Sequence, residues 1–501
     1  MRSNIVLQEL AKNPKDPDLL VRLGRKLYGE QHYDQALIAF FRATENAPDN
    51  PRIFAFIGST LKRMQLHSEA ARYFSYAFKG GYKRPTTLEN LIYSLRISGK
   101  SKQARDLATR FSQSDLLTPN VANLLAMDNF TRSNFDASRQ FLDKAIEADA
   151  DNLFYQSLKE TLQAVSADHG NKRKIGFHLN ETFHYHIMKP IFDALKDEYH
   201  CLMTADLMTL ADFKPEVVFV ANSQAKPISK YIPDACFIYT RHGLISKNFV
   251  FNAIQGCDYV CVSSSDQKRE FVKRGGIPED RVWITGYAQM DPLFQKATKD
   301  TGLQLDGKKP TILYAPTFTP GLSSIPAMTK LMTDQPDQFD DMNVIMKLHP
   351  LAPEIYPKEV RALHQLCQNK ENMHFVRARR ENIVDYLAHA DLLVSDVSSV
   401  VFQYLALDRP VVTINNPDRF KSPQYDRDGL EWKWRDMGEE VDQMADLLPV
   451  INRALENPTA KQEIRSKYRD LLFGDVTDGQ TGLRVKENLA KYFEQRAREA
   501  V

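Results

Sequence analysis

The sequence predicts an all-α solenoid followed by two α/β domains that face one another across a cleft. Three observations carry that expectation. Small and apolar residues recur every 34 positions near the start, short β-rich runs alternate with helical stretches from Lys172 onward, and a polar segment over 297–309 separates two such sets. At 501 residues the chain exceeds what one hydrophobic core supports, so about three domains are expected. Their expected bounds are 1–168, 172–300 and 309–501.

The period appears when segments starting at Pro17, Pro51 and Pro85 are overlaid. Leu20, Leu23, Gly24, Leu27, Ala36, Phe40 and Ala43 in the first unit, which ends near Pro48, match Phe54, Ile57, Gly58, Leu61, Ala70, Phe74 and Ala77 in the second. A third unit follows, with a weaker fourth carried by Leu125, Ala126, Ser138, Leu142 and Ala145. Each unit shows one helix face, a short polar turn such as 29–33, and a second helix face. Gly24, Ala36 and Ala43 are small where two helices would cross. The pattern resembles the tetratricopeptide repeat, a helix-pair solenoid whose concave face commonly binds a peptide or protein partner. A dimer interface or a spacer are the other readings of such a solenoid.

In the second region, strands are expected over 174–179, 217–221, 236–239, 259–262 and 282–285, and in the third over 311–314, 343–347, 373–376, 392–395 and 411–414. Two doubly wound sheets of this kind bind ligands outside the carboxyl ends of their strands.

Composition narrows the function classes. Hydrophobic residues make up 43% and charged residues 26%, and the net charge of +2 gives no general attraction to nucleic acid. The five cysteines are scattered, and the pair Cys257 and Cys261 has no second pair to complete a zinc site, so reduced thiols and no metal are expected. No segment has the apolar length of a signal peptide or a membrane span, so a cytoplasmic protein is expected. The basic run Arg377-Ala378-Arg379-Arg380 reads as a solvated face or as a contact for an anionic membrane surface.

The residues that carry chemistry stand at strand ends. An apolar strand runs into Ser395-Asp396-Val397-Ser398-Ser399 and then a helix. Backbone N–H groups and the helix dipole favour phosphate there, with the serine hydroxyls as further donors; the same residues are also ordinary helix caps. Lys347-Leu348-His349-Pro350 sets a cation and an imidazole at another strand end, where Pro350 stops further pairing. In the preceding domain His242-Gly243 and Lys247 follow an apolar strand, and Gly243 permits close backbone approach. Ser263-Ser264-Ser265, the run from Thr285 through Gly286 to Asp291, and Leu313-Tyr314-Ala315-Pro316-Thr317 are further strand-end segments with small or hydroxyl residues at the expected cleft edge.

In order, these segments resemble the family of CDP-glycerol glycerophosphotransferases, whose pattern has His-Gly-x-x-x-Lys, Gly-Tyr…Asp, Leu-Tyr-Ala-Pro-Thr, basic-x-His-Pro and Asp-x-Ser-Ser-x-x-Phe. The resemblance runs from Tyr239 to Asp436. It implies a GT-B fold of two Rossmann-like domains, with the acceptor on the side of 172–300 and the nucleotide donor on that of 309–501. It also implies transfer of a glycerol-phosphate-type group from a CDP-linked donor to a hydroxyl of a glycan, polymer or protein, releasing CMP, in synthesis of teichoic-acid-like or capsular polymers. His242 would then be the general base, and His349 would stabilise the donor's phosphates. Lys347, Asp396, Ser398, Ser399, Gly243, Lys247, Thr317 and Gly286 would hold the donor. No cofactor is implied, and peripheral contact with the inner face of the plasma membrane fits such polymers.

The sequence departs from the pattern in three places. His-Gly-Thr-Pro-Leu-Lys is here His242-Gly-Leu-Ile-Ser-Lys247, Gly-Tyr-Pro-Arg-Asn-Asp is Gly286-Tyr-Ala-Gln-Met-Asp291, and Gln403 replaces an Asp after Phe402. His-Pro and Ser-Ser elements also resemble GT-B enzymes that use CMP-activated acidic sugars, where a carboxylate such as Glu181 or Asp258 would be the base. A third reading makes the chain a binding scaffold with an inactive transferase domain.

Overall fold

The computed structural model describes residues 8–165, 168–222, 225–241, 243–244, 251, 254–376 and 381–499. The chain divides into two compact units, Met1–Gln163 and Ala164–Val501.

The first unit is helical. Helices α1 (Pro17–Gly29), α2 (Tyr33–Asn46), α3 (Pro51–Arg63), α4 (His67–Lys79), α5 (Pro85–Ile97), α6 (Ser101–Arg110), α7 (Pro119–Thr131), α8 (Phe135–Ala148) and α9 (Leu153–Gln163) follow one another. Pro17, Pro51, Pro85 and Pro119 each stand in the first turn of a helix, 34 residues apart. There a fixed φ and a missing N–H cost nothing. The period is therefore regular through the fourth unit, whose core residues alone had looked weak.

The small residues act as the sequence implied. A Cβ on Gly24 would lie 2.5 Å from the Phe40 ring, and one on Gly58 would lie 2.9 Å from that of Phe74. The helices of a pair can therefore approach only with glycine there. Ala36, Ala43, Ala70, Ala77, Ala104 and Ala108 are fully buried between helices. The turn within each pair places Gln31, Gln65, Gly99 and Ser133 at positive φ, at equivalent positions of the repeat.

The second unit contains two parallel sheets. The first joins β1 (Lys174–His178), β2 (His200–Thr204), β3 (Val217–Val220), β4 (Cys236–Tyr239), β5 (Tyr259–Val262) and β6 (Val282–Ile284) in the order β2-β1-β3-β4-β5-β6. The second joins β7 (Thr311–Tyr314), β8 (Asn343–Met346), β9 (Met373–Phe375), β10 (Leu392–Ser395), β11 (Val411–Ile414) and β12 (Glu439–Val441) in the order β12-β11-β10-β7-β8-β9. Edge strands β2 and β12 were not foreseen. His-Cys-Leu-Met-Thr lacks β-branched residues until its end, and Glu439 and Glu440 hide β12, which pairs with β11 alone.

Five helices matter for the site: α10 (His184–Leu195), α11 (Ile325–Asp334), α12 (Val400–Tyr404), α13 (Gln462–Phe473) and α14 (Thr481–Glu499). Helix α14 returns the chain to the first sheet, packing on α10. A Cβ on Gly482 would come within 2.4 Å of the Pro190 carbonyl oxygen, so this crossing requires glycine. No helix among the described residues is long and apolar enough to cross a membrane.

Candidate functional site

In the second sheet the strand order reverses between β7 and β10, because β8 lies on one side of β7 and β11 on the far side of β10. The loops leaving β7 and β10 diverge there, and that divergence opens a crevice. A cleft open to solvent occupies this position, lined by Ala315 and Pro316 after β7, Lys347 and His349 after β8, and Ser398, Ser399 and Gln403 after β10.

Asp396 builds the crevice rather than facing it. Its Oδ1 accepts from the N–H groups of Thr317 (2.7 Å) and Val397 (2.6 Å), and its Oδ2 from the Ser324 N–H and Oγ (both 2.8 Å). The carboxylate thus ties the β7 loop, the β10 loop and the start of α11 together. Burial pushes it up to about 6 against the pull of these donors. The donor-binding role expected for Asp396 is corrected accordingly: its oxygens are taken by the protein, and it positions the loops. Thr317 donates its N–H to Asp396, and its carbonyl oxygen accepts from Ser323 Oγ (2.7 Å).

Lys347 and His349 reach the cleft directly. Lys347 is 6% exposed, and burial lowers it to about 8 while the Glu381 carboxylate opposes the fall. It sets a cation largely out of water on the cleft wall, where it attracts negative charge. His349 packs on the Phe318 ring at 4.2 Å, and its Nδ1 accepts the Leu351 N–H at 3.1 Å. Burial first, and Lys347 second, lower it to about 4. The ring is therefore neutral, with its proton on Nε2.

Ser398 and Ser399 precede α12. The capping alternative fails for Ser399, which makes no side-chain cap bond, and Ser398 Oγ meets the Val400 N–H only at 3.4 Å. Both serines line the cleft instead. Opposite them, a Cβ on Gly243 would be 3.9 Å from Ser399 Cβ, so the segment after β4 lies against the serine pair. Arg241 fixes that segment: it is buried at φ +61, and its guanidinium donates to Gln267 Oε1 (2.8 Å) and to the Leu244 carbonyl (2.7 Å). A non-glycine residue held at positive φ marks stored strain beside this motif. His242 and Lys247, like Arg377 to Arg380, lie outside the described residues.

Other expected residues fall elsewhere. Gly286 sits at φ +101, and a Cβ there would meet Thr481 Oγ1 at 2.6 Å, so it seats the β6 loop on the start of α14 and does not line the cleft. Ser263 and Ser264, expected at the cleft edge, donate to the carbonyls of Leu472 (2.5 Å) and Leu471 (2.7 Å) and clamp α13. Asp258 accepts the Phe237 N–H at 2.8 Å, at the amino end of β5. That edge is opposite the strand ends that bear the cleft, which removes Asp258 as a base. Glu181 follows β1, raised by burial and by the nearby Glu354 carboxylate. Trp434 stacks on Tyr468 at 4.3 Å within the core.

Sequence reasoning missed the cleft's other wall. Phe183 and His186 at the start of α10 line it, with Gln289, Glu381 and Ile383. Nothing near 183–186 resembles a motif, because helix α10 is brought there by the first sheet. Gln289 and Gln403 were noticed only as departures from a pattern; in the fold they are bonded to each other, Gln403 Nε2 donating to Gln289 Oε1 at 2.9 Å. That pairing was visible in the sequence only as two separate departures.

Comparison with known proteins gives a family and a fold. Residues 218–491 match the family described as CDP-Glycerol:Poly(glycerophosphate) glycerophosphotransferase. The teichoic acid glycerol-phosphate primase of Bacillus subtilis (strain 168) is 27% identical over 160 residues, which is 31% of this chain and 39% of that protein. The chain thus spans about two-fifths of the length of this curated relative. A variant of the wall teichoic acid polymerase TagF has a similar fold, with a TM-score of 0.50 at 16% identity, covering 73% of this chain and 99% of that one.

Proposed function

We propose a function that proceeds from one premise: this chain belongs to the CDP-glycerol:poly(glycerophosphate) glycerophosphotransferase family. The chain transfers a polyol-phosphate group of the glycerol-phosphate type from a CDP-linked donor to a hydroxyl acceptor, and CMP is released. The observation that carries this reading is the convergence of Lys347, His349, Ser398 and Ser399 on one crevice at the strand-order reversal.

The acceptor oxygen attacks the β-phosphorus, a new P–O bond forms, and the bond from that phosphorus to the bridging oxygen breaks with its electron pair leaving on CMP. The acceptor proton passes to a general base, the role assigned to His242. Lys347 meets the negative charge of the diphosphate, the serine hydroxyls fix it in register, and His349 donates from Nε2 to a phosphate oxygen as charge builds on the leaving group. A neutral imidazole suits that donor role at any pH above its lowered pKa. The acceptor is a glycan, polymer or protein in cell-surface synthesis, and the helical repeats bind a protein partner. The enzyme works on the cytoplasmic side, in peripheral contact with the membrane.

Selective binding raises the unfolding temperature of the folded state. Purified protein is expected to be stabilised by CDP-glycerol, CDP-ribitol and CMP and not by UDP-sugars; the reverse selectivity would remove the donor assignment. His242→Ala is expected to abolish CMP release while leaving donor affinity within about threefold, and full turnover in that variant would remove the base.

A further inference from the structure

The cleft wall that carries Gln289 and Gln403 is a network of neutral amides with a fixed polarity. The N–H of Val384 donates to Asn382 Oδ1 at 3.3 Å, and a backbone N–H can only donate, so that atom of Asn382 is oxygen. The same oxygen accepts from Gln289 Nε2 at 3.3 Å, which fixes the Gln289 amide. Gln289 Oε1 in turn accepts from Tyr287 OH and from Gln403 Nε2, each at 2.9 Å. Every amide in the series is thereby oriented from one backbone donor. Its last member, Gln403, is 5% exposed and lines the cleft, and its Oε1 takes no bond from any described residue.

We infer that Gln403, oriented by Gln289, is the specificity-determining residue for the transferred group, and that it selects a group carrying a hydroxyl. Resting on the proposed CDP-linked donor, this assigns the polyol end of that donor to Gln403 Oε1. A hydroxyl donates its proton to Oε1 and can accept from the remaining Gln403 N–H, matching both atoms of the amide. A group without a hydroxyl has no proton to give to Oε1 and forgoes that bond. The amide thus favours a transferred group that places a hydroxyl against it. Gln289 is a positioning residue: it acts by keeping the Gln403 oxygen turned toward the ligand.

The test compares CMP release from CDP-glycerol with release from a CDP-alkanol lacking the free hydroxyls, in wild type, Gln403→Met, Gln403→Glu and Gln289→Met. Loss of the hydroxyls is expected to lower wild-type kcat/KM by about 10- to 100-fold. In Gln403→Met the two donors should differ by no more than about twofold. In Gln289→Met, where the amide is free to flip, the discrimination should shrink to less than about fivefold, an effect that general loss of packing would not produce. Gln403→Glu gives up the donation to Gln289 but presents an acceptor oxygen to the ligand in either orientation, and should retain at least tenfold discrimination, so a poorly folded Gln403→Met does not decide the matter. An equal hydroxyl penalty in wild type, Gln403→Met and Gln403→Glu would overturn this inference and leave the donor reading standing. Failure of the wild type to bind or turn over any cytidine donor would overturn both.

Discussion

The carboxyl edges of the two sheets carry nearly the same sequence signature, an apolar strand ending in serine, threonine or aspartate, and use it for opposite purposes. At the second sheet, Asp396 gathers the loops of β7 and β10 and leaves Ser398 and Ser399 facing a cleft beside Lys347 and His349. At the first, Ser263 and Ser264 hold α13, and Asp291 accepts the Thr481 N–H (3.1 Å) and Oγ1 (2.6 Å) to cap α14. Both aspartates are buried with pKa values raised to about 6 by desolvation. One builds the cleft and the other caps a helix. What separates them is the strand order: only where neighbouring loops diverge is there room for a ligand.

The sharpest way to break this comparison is Lys347→Met. Removing the buried cation is expected to weaken CDP binding by about 100-fold, or roughly 3 kcal/mol, measured by calorimetric titration. The loss of affinity should exceed any loss of thermal stability, read from melting curves of the same variant. A large stability loss with unchanged affinity would mean that Lys347 is structural.

The two aspartates sharpen it further. Asp291→Ala and Asp396→Ala should each lower stability by about 2–3 kcal/mol, since each leaves buried donors unpaired. Only Asp396→Ala should also weaken CDP binding, by at least about tenfold. Both carboxyls titrate higher in the folded chain than an ordinary aspartate does, so the folded state takes up protons between about pH 4 and 6. Wild type should therefore gain stability relative to Asp291→Asn as pH falls from 7 to 5, read from paired melting curves. A loss over that window would contradict the raised pKa.

The smallest effect belongs to the helical unit. Gln65 is held at φ +62, where the equivalent position of the next repeat has Gly99. Gln65→Gly is expected to stabilise by about 0.5–1 kcal/mol, because relief of the left-handed backbone outweighs the added freedom of the unfolded chain. A decrease in melting temperature would show that the Gln65 side chain compensates for its backbone.

The helical repeat was legible because its determinants are local. Pro17, Pro51 and Pro85 start helices, and Gly24 and Gly58 admit Phe40 and Phe74 from the partner helix 16 residues on. The strands were legible as apolar runs, apart from β2 and β12, whose polar or unbranched residues are strands only because a neighbour pairs with them. Of the site, Lys347, His349, Ser398 and Ser399 could be named from strand ends alone, since a charged or hydroxyl residue after a buried strand must emerge at a sheet edge. Which of the strand-end residues face a ligand was decided by tertiary structure. Asp396 turns inward to three backbone N–H groups and a hydroxyl, Gly286 turns to α14, Phe183 and His186 arrive on a helix with no motif, and Gln289 finds Gln403 across 114 residues of sequence. The sequence determined which groups reach the sheet edges, because periodicity and strand ends are properties of neighbouring residues. The order of the strands determined which groups meet, because that order is set by contacts between segments far apart in the chain.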